Sequence, residues 1–230
     1  MAMTHDRILA LERLNERIDR ACAHAGRNRD QVRLIAVSKG HPEEAIREAH
    51  VAGLRVFGEN YAQELARKAE ALSDLEGIQW RFIGHLQRNK IKLIERARAS
   101  VDTVDSARLA EAISARAGAR GTTVEVLLQV NVGREPQKSG CLPEDLPTLV
   151  DSVRALQNVD LAGLMTVAPH FEDPMESRPV FAELRRLAEA HGLSELSMGM
   201  THDLEAAVLE GATMLRIGTA LFGPRPALRR

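Results

Sequence analysis

Eight short runs rich in β-branched residues, separated by seven stretches of helical length, constrain this chain more than any other feature. The runs fall at 32–38, 54–58, 79–83, 100–104, 123–130, 159–166, 194–198 and 213–217. Local signals fit helices between them. Pro42 suits a first helical position, Glu43 and Glu44 suit the positive end of the helix it opens, and Gly53, Gly118 and Gly211 suit C-terminal stops. Regular strand–helix alternation forces parallel pairing with right-handed crossovers. Eight such units predict an α/β fold closed as a (β/α)8 barrel of the TIM type, with a doubly wound open sheet as the competing arrangement. Ahead of the first run, Ile8, Leu11, Leu14, Ile18, Ala21 and Ala25 recur at spacings of three and four. They predict an extra N-terminal amphipathic helix, capped by Thr4 and ended by Gly26. No linker, repeat or low-complexity tract divides the sequence, so residues 1–230 are read as one barrel domain.

Composition removes several classes of function. Lysine and arginine total 31 against 32 acidic residues, and aromatic residues make up 3% of the chain. Neither a basic field nor stacking platforms are available, so no nucleic-acid partner is expected. Cys22 and Cys141 stand apart from each other and from any histidine cluster, which predicts reduced thiols and no metal. The charged N-terminal pattern and the lack of a long apolar run predict no leader and no membrane span, hence a soluble cytoplasmic protein. No GxGxxG, HExxH or GxSxG pattern occurs, and the Lys138-Ser139 pair lacks the spacing of a nucleotide loop and is read as the turn after the fifth strand.

In such a barrel the chemistry lies beyond the C-terminal strand ends, and this rule selects the candidates. Lys39 follows Leu34-Ile35-Ala36-Val37-Ser38 at the rim of the first strand. Apolar surroundings disfavour its ammonium form, and a neutral amine can condense with an aldehyde; the alternative is a solvated lysine closing a strand. Ser197, Gly199 and Thr201 occupy the turn after the seventh strand, with Thr201 as a helix cap, while Gly218 and Thr219 follow the eighth. Turns after the last two strands of such barrels are frequent phosphate sites, and two of them here favour that reading over plain tight turns. Arg216, within the last strand, requires a polar partner inside the barrel, either a structural carboxylate or a ligand acceptor such as a pyridine nitrogen. Asn60 after the second strand is either a ligand contact or the cap of the next helix. His85 after the third is either a wall of the same mouth or an ordinary loop histidine.

Six segments in this order, Ala36-Val37-Ser38-Lys39, Phe57 to Glu64, Trp80 to Gln87, Gly163 to Thr166, Leu196 to Met200 and Arg216 to Thr219, resemble the pyridoxal phosphate homeostasis protein family. The resemblance covers nearly the whole chain. It implies a barrel similar to the N-terminal domain of alanine racemase, with pyridoxal 5′-phosphate (PLP) held as a Schiff base on Lys39. It also implies that Ser197, Gly199, Gly218 and Thr219 hold the phosphate, that Arg216 faces the pyridine nitrogen and that Asn60 lies against the cofactor. The sequence departs from the family at His202, beside Asp203, where a second acidic residue is common. The implied role is a non-enzymatic, monomeric carrier that buffers PLP and supplies PLP-dependent apo-enzymes. A weak racemase is the alternative; it needs a second proton-transfer group opposite Lys39, and the chain ends soon after the eighth strand with no second domain to provide one.

Overall fold

The computed structural model describes residues 2–224, with side chains from Arg7 onward. Eight parallel strands close into a barrel in sequential order. They are β1 (Arg33–Val37), β2 (Val56–Glu59), β3 (Gln79–Phe82), β4 (Ser100–Val104), β5 (Val124–Gln129), β6 (Val159–Met165), β7 (Glu195–Ser197) and β8 (Met214–Ile217). The predicted strands are all present and the open-sheet alternative is excluded, because β1 pairs with both β2 and β8. Crossovers run through α2 (Glu43–Val51), α3 (Ala62–Ala71), α4 (Ile91–Arg96), α5 (Ala107–Gly118), α6 (Leu146–Arg154), α7 (Arg178–Ala190) and α8 (Leu204–Leu209). A short α9 (Thr219–Phe222) follows β8.

Alternation along each strand separates two apolar layers. Residues facing outward join the helices in one large core, whereas Ile35, Leu127, Met165 and Met214 form a separate cluster inside the barrel. Register fixes what shares that interior. Ile35 pairs with Arg216, and Ser197 pairs with both Met214 and Met165, so Arg216 and Ser197 point inward with the methionines. Gly58 makes this packing feasible, since a Cβ there would lie 2.9 Å from Ile35 Cγ2.

The N-terminal helix α1 (Ala2–His24) packs against α2, α8 and α9, closing the seam between the last unit and the first. It begins before Thr4, so Thr4 lies within the helix and is not its cap. Gly26 ends it as expected. At φ +63°, it lets Arg27 N donate to Cys22 O while Gly26 N donates to Ala23 O. Three other expectations shift. Pro42 is the residue before α2 and not its first. Gly118 is the last residue of α5, where a Cβ would meet the Asn158 amide at 2.6 Å, and the left-handed stop is Gly121. Asp203, not Thr201, precedes α8.

Candidate functional site

Beyond the C-terminal strand ends a cavity of about 460 Å³ opens between β1, β2 and β8. Lys39 reaches it from the end of β1, Asn60 from the end of β2, and Arg216, Gly218 and Thr219 from β8 and the turn after it. The volume lies within the roughly 300–1,000 Å³ common for small-molecule sites. Val37, Ile83, Met165 and Val167 supply apolar wall, and His41, Thr201 and His202 add polar groups near the rim.

The turn that presents Lys39 is held tightly. Gly40 adopts φ +73°, a conformation costly for residues with a Cβ, and its N–H donates to Glu64 Oε1 at 2.8 Å. Asn60 does not cap α3, which starts after Tyr61 without a side-chain cap bond. Instead the Asn60 Oδ1 is buried and has no hydrogen-bond partner within the protein. Buried polar atoms are nearly always paired, so an orphan acceptor facing a cavity marks a place where a ligand donor fits.

Arg216 is 5% exposed and rigidly aimed. Its Nη1 donates to Ser197 Oγ at 2.9 Å and its Nη2 to Thr166 O at 2.8 Å. Below it, Asp102 is fully buried, accepts from Ser197 Oγ at 3.5 Å, and is clamped by Arg81. Burial pulls the Arg216 guanidinium below the ordinary arginine value, opposed by the charges of Asp102 and Asp203. The carboxylate partner weighed for Arg216 therefore exists, at one remove through Ser197, while the same residue lines the cavity.

Two expected residues fall outside the lining. Ser197 is fully buried, and its hydroxyl is already engaged by Arg216 and Asp102, so its side chain is not a free phosphate donor. Gly199 sits behind the wall at φ +87°, where a Cβ would lie 2.4 Å from Ala207 Cβ; packing against α8 requires glycine there. His85 is exposed and lines an adjoining cavity of about 190 Å³, sharing Asn60 and Met165 with the larger one. His202 Nε2 lies 3.1 Å from Phe171 O, and Asp203 Oδ1 accepts from Met200 N at 2.6 Å, so this helix start shapes the rim by hydrogen bonding. Sequence reading missed His41 and Asp102. His41 stands two residues past Lys39 on the same rim, and Asp102 is a carboxylate in mid-strand, the same anomaly that singled out Arg216.

The alanine racemase N-terminal domain family matches residues 9–226. A pyridoxal phosphate homeostasis protein of Aquifex aeolicus is 44% identical over 221 residues, 94% of this chain and 96% of that protein. Another, of Pseudomonas aeruginosa, is 48% identical and covers 91% of each. The chain belongs to the pyridoxal phosphate homeostasis protein family. Membership extends to solved structures: PipY of Synechococcus elongatus, with PLP bound, superposes with a TM-score of 0.79 at 39% identity, over 90% of this chain and all of that one. Among the described residues, the homeostasis-protein barrel here thus carries an orphaned cavity-facing amide, Asn60, in the mouth that also presents Lys39.

Proposed function

We propose that this chain binds PLP reversibly in the mouth of the barrel and serves PLP homeostasis as a carrier. The observation that carries the reading is the convergence of Lys39, the orphaned Asn60 Oδ1 and the fixed Arg216 guanidinium on one cavity of cofactor size. When bound, the cofactor supplies an aldehyde carbon that a neutral amine captures reversibly, with loss of one water. Lys39 is assigned that amine. Asn60 accepts from a donor on the ligand, and Arg216 faces the ring.

Gly218 and Thr219 are assigned the phosphate, through backbone N–H groups at the cavity wall and the exposed Thr219 hydroxyl beside them. Ser197 and Gly199 contribute from behind, Ser197 by fixing Arg216 and Gly199 by accepting Arg216 N with its carbonyl at 3.0 Å. With Arg216 facing the ring nitrogen, its positive charge would oppose protonation there and would weaken the cofactor as an electron sink. That favours holding over catalysis.

The assigned role is therefore non-enzymatic, as the names of the relatives suggest, with PLP-dependent apo-enzymes as recipients and residues 1–230 acting as one monomeric, cytoplasmic barrel domain. Among the described residues no helix is long and apolar enough to cross a membrane. Titration of the purified chain with PLP tests the reading. The absorption band of the lysine-linked cofactor is expected to saturate, and Lys39→Ala is expected to abolish it; an unchanged spectrum in either experiment contradicts it. Deuterium exchange at the α-carbon of amino acids, if faster than with free PLP, contradicts the non-enzymatic role.

A further inference from the structure

Behind the turn that presents Lys39 lies a second lysine of the opposite character. Lys68 of α3 has a fully buried side chain, and its ammonium meets three acceptors: Ser38 O at 2.7 Å, Glu59 Oε1 at 2.6 Å and Glu64 Oε1 at 2.7 Å. Three donors are thereby matched by three acceptors. The same carboxylates reach back to the turn. Glu59 Oε1 also accepts from Ser38 Oγ at 2.8 Å, and Glu64 Oε1 accepts the Gly40 N–H at 2.8 Å. The residues on either side of Lys39 are thus both fastened to one buried ionic cluster. Its cost is visible, because Glu59 Oε2 is buried with no hydrogen-bond partner and burial pushes the Glu59 carboxyl above its ordinary range against the pull of Lys68. A fully buried ion pair contributes little net stability compared with apolar packing, so stability alone does not account for it.

We infer that Lys68, Glu59 and Glu64 form a strut that sets the position of the Lys39 amine for attachment to an aldehyde, making them positioning residues for the binding chemistry. The inference rests on the assignment of PLP to Lys39. Attachment joins the Lys39 nitrogen to the aldehyde carbon and releases the aldehyde oxygen, with both amine hydrogens, as one water. It depends on the direction and distance of approach, whereas Arg216, Gly218 and Thr219, assigned to the ring and the phosphate, lie on β8 and the turn after it. Displacing the turn therefore weakens the covalent part of binding selectively.

Pyridoxine 5′-phosphate separates the two parts, since it has the same ring and phosphate with an alcohol in place of the aldehyde. Dissociation constants for both compounds are measured for the wild type, Lys39→Ala, Lys68→Met and Glu64→Ala. The preference of the wild type for the aldehyde over the alcohol is expected to fall by about tenfold or more in Lys68→Met and Glu64→Ala, while binding of the alcohol changes by less than about twofold. Should Lys68→Met fail to fold, Glu64→Ala decides alone, because Glu64 lies at the partly exposed end of the cluster. A folded Glu64→Ala that keeps the full aldehyde preference overturns the strut and leaves the Lys39 assignment standing. A wild type whose preference is already that of Lys39→Ala overturns the assignment, and the strut with it.

Discussion

The two ends of the barrel enclose comparable space with opposite chemistry. The larger cavity, about 680 Å³, lies at the N-terminal end between β3, β4 and β5, against about 460 Å³ at the C-terminal mouth. At the N-terminal end the buried charges are ion-paired, including Arg81 Nη2, which completes no hydrogen bond but lies 2.7 Å from Asp102 Oδ1. Arg81 is clamped by Asp102 and Glu125, and Glu95 by Arg116 and Arg120. At the mouth, a buried amide oxygen has no protein partner and the fixed Arg216 lines the space. Volume alone would choose the wrong end. What distinguishes the mouth is a neutral polar atom at the cavity wall with neither a hydrogen bond nor an ion pair, whereas charges paired within the fold serve stability.

Four variants sharpen this contrast. The largest effect on ligand binding is expected at Lys39→Ala, which should weaken PLP binding at least ~100-fold, about 2.7 kcal/mol, by calorimetric titration. Thermal stability should barely move. Next, Asp102→Ala leaves Arg81 and Arg216 buried with their shared carboxylate gone, and should cost about 3–5 kcal/mol in denaturant unfolding. Asn60→Ala removes an acceptor that nothing in the protein uses, so PLP affinity should drop roughly fivefold, about 1 kcal/mol, with folding stability changed by less than about 0.5 kcal/mol. The smallest effect belongs to Glu125→Gln at the paired end. It should alter stability by no more than about 1 kcal/mol and leave PLP affinity within about twofold, because this carboxylate is partly solvated. If Glu125→Gln weakened PLP binding more than Asn60→Ala, the contrast between the two ends would be wrong.

The barrel was legible because strand runs and helix stops are local signals. Where boundaries moved, a local hydrogen bond moved them. The second strand was expected from Leu54 but begins at Val56, because Leu54 N donates to Ala49 O and is still completing the end of α2. Thr201 looked like a cap, yet Asp203 accepts Met200 N and starts the helix two residues later. The short α9 carried no periodic signal over four residues.

Residues lining the cavity were legible where the rim rule applies to single positions, as with Lys39, Asn60, Gly218 and Thr219. Ser197 and Gly199 share that rim in sequence but not in space, since strand alternation turns Ser197 inward beneath Arg216 and α8 packs against Gly199. Asp102 and Lys68 were invisible for a different reason. Asp102 pairs across strands with Arg81, 21 residues away, and Lys68 bonds Ser38, 30 residues back, while its pair with Glu64 four residues away reads in sequence as an ordinary surface helix pair.

The central claim is that Lys39, and no other amine, takes the aldehyde. Reducing the PLP-loaded protein with borohydride, digesting it and mapping the added mass by mass spectrometry tests this directly. The account predicts the label on the peptide containing Lys39, with Lys68 unmodified. A label on Lys68 or on another lysine, or no label at all, would contradict it.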